Sequence, residues 1–253
     1  MSEPHPLARR AATEVRELAK FLLMAAPCYL AFTTVAFANY SIPSESMVPT
    51  IEVDDRVVVS KFAYGYSRYA LPLPVAEAMP GGGGRFLATL PARGDVVVFR
   101  HPVQRRVMIK RLIGLPGDTI ALRGGALYVN GVPATRSDGR PLVRAAHRAG
   151  LENAVRYTEV LPGGATHWID EFSNTGSFDE FGPVTVPAGH FFAMGDNRDN
   201  SLDSRWDGMG AVPLENLIGR AEFTYFTMPR LGGPPGVAPP EHRLFRPLRK
   251  SAS

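Results

Sequence analysis

The chain has 253 residues, 45% of them hydrophobic, and 28 Lys and Arg against 24 Asp and Glu give a formal net charge of +4. That is apolar material for one large domain or two small ones, and no dense basic block points to a nucleic-acid partner; the modest positive charge suits work beside an anionic membrane. The single cysteine, Cys28, excludes an intrachain disulfide, and 25 Gly with 23 Pro argue against long helices beyond the first segment.

Residues 1–20 are polar, with Arg9, Arg10, Arg16 and Lys20 outnumbering Glu3, Glu14 and Glu17. Residues 21–38 (FLLMAAPCYLAFTTVAFA) carry no charge. Such a run, wound as a helix, rises about 27 Å and nearly matches the roughly 30 Å hydrocarbon core of a bilayer. It reads as one transmembrane anchor. The basic flank puts the N-terminus in the cytoplasm and everything after Tyr40 outside. A secretory signal with a cleavage site at Ala36-Phe37-Ala38 is the rival reading; the apolar run is longer than such signals carry, which favours a retained anchor.

Next comes residues 41–51 (SIPSESMVPTI), where Ser44 and Ser46 sit one residue apart between Pro43 and Pro49. Each proline fixes its own φ and pushes the residue before it towards extended geometry, so a rigid extended segment or turn is expected. Alone, it reads as a linker between anchor and domain. Short β-branched or apolar runs follow at 56–60, 95–99, 107–112, 119–122, 126–129, 166–169, 190–194 and 221–226, and these are predicted strands. Gly124-Gly125 and Asn130-Gly131 are hairpin signals. Between residues 71 and 90 lies a loop whose glycines 81–84 lack the Lys-Ser/Thr of a phosphate loop. Residues 134–183 read as an insertion with its own short strands, and 231–253 as a Pro-rich basic tail. The exported domain thus spans 39–230.

A serine nucleophile needs a base. No G-x-S-x-G elbow is present, and the scattered histidines make neither a Ser-His-Asp context nor a metal-ligand pattern, so no metal is expected. The other base known for serine is a neutral lysine. In the strand at 107–112, Lys110 shares a face with Met108 and Leu112, and apolar neighbours lower an amine's pKa. From the strand alone, a lysine snorkelling at a sheet edge is the better reading. Residues 195–205 (GDNRDNSLDSR) are too dense in Asp and Asn for a strand. They fail the EF-hand spacing, which leaves a polar loop held by Asp–Arg pairs and Asx turns.

Taken in order after one anchor, residues 42–50 (IPSESMVPT), 55–65 (DRVVVSKFAYG), 93–99 (RGDVVVF), 110–118 (KRLIGLPGD) and 195–205 resemble the bacterial type I signal peptidases, membrane-bound Ser/Lys leader peptidases. The resemblance runs from about residue 40 to 220. It implies a mainly β fold: an antiparallel-sheet catalytic domain with an inserted smaller β subdomain, preceded by one transmembrane helix. It also implies that Ser46 is the nucleophile and Lys110 its general base. Ser44, with the Ser46 N–H, would form the oxyanion hole, and Ser201 would orient the lysine. Asp203 and Arg205 would pair in structural support. Ile42, Met47, Ile51, Val57, Met108 and Ile109 would line shallow substrate pockets. The sequence departs from the family at Glu45, where many members have glycine, at Asp54-Asp55, and at 206–209.

The function this implies is a serine endopeptidase, a hydrolase that removes signal peptides from exported preproteins at the outer face of the cytoplasmic (inner) membrane. It would touch signal peptides and membrane lipid, bind no nucleic acid, and need no cofactor. Three rivals remain: a relative dedicated to one substrate such as a pilin, a catalytically dead tethered β domain, and a self-cleaving repressor, which would need a DNA-binding N-terminus in place of the anchor.

Overall fold

The computed structural model describes residues 6–71, 77, 85–146, 150–173, 175–227 and 244–248. Glycines 81–84 and most of the 231–253 tail lie outside them. Helix α1, Pro6–Val35, comes first. Its Thr13–Val35 stretch is long and apolar enough to cross a bilayer, and none of that stretch is buried in the protein. Phe21, Leu22, Leu23, Met24, Tyr29, Leu30 and Phe32 all face outwards, as a lipid-facing helix requires.

The helix ends three residues before the predicted anchor does. Phe37 and Ala38 belong instead to strand β1, Phe37–Ser41. Cross-strand pairing decides this: Phe37 lies opposite Ser60 and Ala38 opposite Val59, while the Phe37 ring packs 5.5 Å from both Phe32 and Phe62. Lys61 closes the helix end, its backbone N–H donating to Ala36 O at 2.9 Å and its Nζ to Thr34 O at 2.6 Å, a basic cap on orphan carbonyls.

The later strands are β2 (Asp55–Ser60), β3 (Val96–Arg100), β4 (Val107–Gly114), β5 (Thr119–Arg123), β6 (Ala126–Val129), β7 (Val132–Pro133), β8 (Thr135–Ala146), β9 (Gly150–Val160), β10 (Thr166–Glu171), β11 (Phe181–Thr185), β12 (His190–Met194), β13 (Val212–Pro213), β14 (Leu217–Thr227) and β15 (Arg246–Pro247). They form three antiparallel sheets. The largest has the order β1-β2-β14-β3-β4-β12-β13, with β15 added on β14. It curls, because Tyr40 at one end and Ile109 in β4 pack on the same apolar cluster. The β11-β5-β6-β7 sheet leans on it, and β10-β9-β8 forms the third. Gly124-Gly125 joins β5 to β6 in a two-residue turn with φ of 52° and 76°, the left-handed values a type I′ hairpin demands.

The insertion is larger in strand and narrower in bounds than its sequence suggests. Its own sheet covers Thr135 to Glu171, whereas 181–183 lie in β11 and pair with β5. Strands β8 and β9 pair along most of their length, although Gly139, Pro141 and several arginines hide any alternation in β8.

In β3 both faces are buried. Val96 and Val98 enter one cluster with Ile42, Met47, Ile51, Val57 and Val59, while Val97 and Phe99 enter another with Leu112, Phe191 and Ala193. A strand covered on both sides needs an unbroken apolar run, and each such side chain contributes about 1.5–3 kcal/mol when fully buried.

Candidate active site

The loop from β1 to β2 brings Ser46 to the rim of the first cluster. Ile42 N–H donates to Asp55 O at 3.0 Å and Asp54 N–H to Ile42 O at 2.8 Å, closing its base. Residues 42–44 run without helical structure, and 46–50 then turn, with Ile51 N–H bonded to Met47 O at 2.9 Å. Met47 and Ile51, four residues apart, are fully buried. Two apolar pins one turn apart leave Ser46 little freedom.

Lys110 reaches Ser46 from β4. Its Nζ lies 2.6 Å from Ser46 Oγ and donates to Ile109 O at 2.9 Å. As the alternation predicts, Met108 and Leu112 pack in the cluster on its face of the strand. The lysine is only 3% exposed. Burial is the main reason its pKa falls from 10.5 to about 8; Asp203 and Asp196 oppose the fall, and Arg106 and Arg205 add to it. A buried, largely deprotonatable amine against a hydroxyl can take that hydroxyl's proton.

Ser44 is exposed, and its Oγ lies 3.4 Å from Ser46 Oγ, so both hydroxyls point into one space. Asp203 and Arg205 form a buried bidentate pair at 2.8 and 2.9 Å, and the same carboxylate accepts Gly195 N–H at 2.9 Å. Ser201, expected to orient the lysine, lies in the same loop. It is buried beside Asp203 and helps hold that carboxylate's pKa down, and among the described residues it makes no hydrogen bond of ordinary geometry, to Lys110 or to any other group. The amine turns to Ser46 and Ile109 O instead. Ser201 packs on the bare Cα of Gly195, where a Cβ would lie 2.3 Å from Ser201 Oγ.

The six pocket residues divide. Ile42, Met47, Ile51 and Val57 are buried members of one cluster and Ile109 packs on it, whereas Met108 packs on the cluster across the sheet. Adjacent residues of a strand face opposite ways, which separates Met108 from Ile109. Glu45 is half-buried and its carboxylate accepts from Asn200 Nδ2 at 3.2 Å.

Several site residues were missed in the sequence. Asn197 donates its N–H to Ser46 O at 3.2 Å and its side-chain amide to Glu45 O at 3.0 Å. Arg111 holds Asp196 at 2.8 and 2.6 Å, and Thr50 also bonds Asp196. Behind them, Glu159 of β9 pairs with the buried Arg198 and lies 3.4 Å from His167 of β10. Burial pushes the Glu159 pKa up, but Arg198, His167 and Arg136 outweigh it and hold the carboxyl well below its usual range. Arg111 had a legible signal: beside Lys110 in the strand it must face the other way, into protein, where an arginine requires a carboxylate. His167 and Glu159 had none.

Residues 15–226 match the family described as signal peptidase, peptidase S26. The chain is 38% identical over 204 residues to the signal peptidase I of Rickettsia typhi (strain ATCC VR-144 / Wilmington), covering 74% of this chain and 71% of that one. With the signal peptidase I of Rickettsia bellii (strain OSU 85-389) the identity is 34% over 228 residues, covering 85% and 74%. A crystal structure of a signal peptidase I from Enterococcus faecalis V583 aligns at 27% identity over 52% of this chain and 97% of that one, with a TM-score of 0.31.

Proposed function

The chain belongs to the signal peptidase family, peptidase S26, and from that premise we propose that it is a membrane-anchored serine endopeptidase that cuts signal peptides from exported preproteins with Ser46 as nucleophile and Lys110 as general base. One observation carries the residue assignment: the 2.6 Å contact between Ser46 Oγ and the buried Lys110 Nζ.

In this mechanism the neutral amine takes the Ser46 proton as Oγ attacks the carbonyl carbon of the scissile bond. The tetrahedral oxyanion is met by the Ser44 hydroxyl and the Ser46 N–H. Its collapse expels the new N-terminus of the mature protein, which takes the proton from the lysine. Water, deprotonated by the same lysine, then hydrolyses the acyl-serine. Gly195 N–H and Arg205 fix Asp203 behind the amine, and that carboxylate keeps the lysine's pKa from falling further. Ile42, Met47, Ile51, Val57 and Ile109, which share one cluster, back the wall that would admit small side chains at the −1 and −3 positions of the substrate, and Met108, on the cluster across the sheet, is left out of it.

Helix α1 is the anchor in this reading, with its basic N-terminal flank inside and the sheets on the outer face of the cytoplasmic membrane. The test is cleavage of a preprotein by the full chain in detergent. Cleavage at the signal junction is expected, with Ser46→Ala and Lys110→Ala both inactive. A Ser46→Ala protein that still cuts would end the assignment.

A further inference from the structure

The β8–β10 sheet supplies none of the residues assigned to the reaction, yet two hydrogen-bonded steps join it to the serine. In the first, Asp170 of β10 donates its N–H to Asp196 O at 3.0 Å and accepts Arg198 N–H at 2.9 Å, forming a short parallel bridge to Asn197. In the second, Asn197 holds the carbonyls of Glu45 and Ser46 with its side chain and backbone. Residues 196–198 therefore lie between the inserted sheet and the nucleophile and are bonded to both.

Asp170 is fully buried, and its carboxylate is gripped by Arg156, its register partner in β9, at 2.7 and 2.9 Å. Arg156 also feels the charge of Glu52, on the turn that follows Ser46. The guanidinium thus ties β9 to the side chain of Asp170, the residue whose backbone is bonded to the 196–198 loop. A bidentate pair of this kind fixes direction as well as distance.

We propose that the inserted sheet is a brace for the nucleophile and that Arg156 is a positioning residue for the reaction. The inference rests on Ser46 being the nucleophile. Loosening the pair would let the 196–198 loop drift and misplace Ser46 against Lys110, without touching the substrate pockets. Misplacement by an ångström can cost about a hundredfold in rate, so a partial loosening is expected to lower kcat by about tenfold.

The experiment uses the full chain in detergent and a cleavable preprotein. Arg156 is 32% exposed at its side chain, so it can be replaced without opening the core. Arg156→Gln is expected to lower kcat about tenfold with KM within about twofold, and to leave the pH midpoint set by Lys110 in place. Arg156→Lys keeps the buried carboxylate paired but loses the two-point grip, and should fall between. Arg140→Gln removes an exposed charge opposite Arg156 in β8 and should match wild type. Wild-type kcat in folded Arg156→Gln, a loss confined to KM, or an equal loss in Arg140→Gln would each overturn the brace. Should Arg156→Gln fail to fold, Arg156→Lys decides alone, and wild-type kcat there overturns it. An active Ser46→Ala would instead overturn the nucleophile assignment, so the two failures are distinct.

Discussion

As the general base of the proposed mechanism, Lys110 must lose a proton before it can act. With its pKa near 8, about a tenth of the protein holds a neutral amine at pH 7 and about nine-tenths at pH 9. The value of kcat/KM should therefore climb close to tenfold per pH unit below pH 7 and level off above about pH 9, the limb being read from a pH–rate profile. Lys110→Arg should be as inactive as Lys110→Ala, because a guanidinium keeps its charge and cannot be deprotonated at usable pH. Turnover above a trace by folded Lys110→Arg would remove the lysine from the mechanism. Ser44 differs in kind, since in the proposed mechanism its hydroxyl meets charge that develops only in the transition state. Ser44→Ala should lose about 10²- to 10³-fold in kcat with little change in KM; the reverse pattern would make Ser44 a substrate-binding residue.

The loop at 195–205 and the join between α1 and β1 each make a prediction at the level of an element. Gly195 lies so close to Ser46 that a Cβ there would sit 2.4 Å from Ser46 O and 2.5 Å from Ser201 Cβ. The first of these is backbone and cannot swing aside. Gly195→Ala should thus displace Ser46 and abolish cleavage, and full activity in that variant would mean that the loop yields where the packing says it cannot. Ala36-Phe37-Ala38 has the small-x-small form of a processing site. Two of its three residues are already paired with β2, so presenting them to a second copy would cost the pairing and the Phe32–Phe37–Phe62 packing. The chain should keep this segment intact. Intact mass of the membrane-extracted protein checks it, and a chain starting at Asn39 would refute the anchor.

Across the whole molecule, buried acids set the response to pH. Burial pushes Glu159, Asp196 and Asp203 towards the neutral form, but arginine partners outweigh it and leave all three pKa values lowered. Groups lowered in the folded state stabilise it above their unfolded pKa, near 4, and that stability drains away as pH falls below it. Glu171 and Asp179 are raised, burial being the main cause. They destabilise the fold at neutral pH and relieve it as pH falls towards 4 to 5. Burial also lowers the pKa of His101 and His167, so their unfolded imidazoles take up protons first as pH falls through about 6.5 and oppose that relief. Thermal unfolding should show a steep loss of stability below about pH 4. Relative to wild type, Glu171→Gln should be stabilised at neutral pH and lose that advantage as pH falls towards the ordinary carboxylate range, with the acid collapse unchanged; a difference that does not vary with pH would mean that the Glu171 carboxyl is not the group relieved.

Much of this was legible in the linear chain. An uncharged run of helix length, short β-branched runs and two glycine-bearing turns fix an apolar helix followed by antiparallel sheets, because these patterns act through local geometry and burial. The serine loop, KRLIGLPGD and GDNRDNSLDSR could be read as one family's motifs in one order. Where α1 stops was not legible, since pairing of Phe37 and Ala38 with β2 overrides an apolar run that could have continued as helix. Strands β8 and β9 were hidden because much of their stability comes from pairing with each other along their length, not from a buried face that alternates in sequence. Nor could the sequence tell that Arg156, Asp170 and Asn197 would meet behind Ser46. Those contacts join residues far apart in the chain, and hydrogen bonds between such groups exist only once the sheets have brought them together.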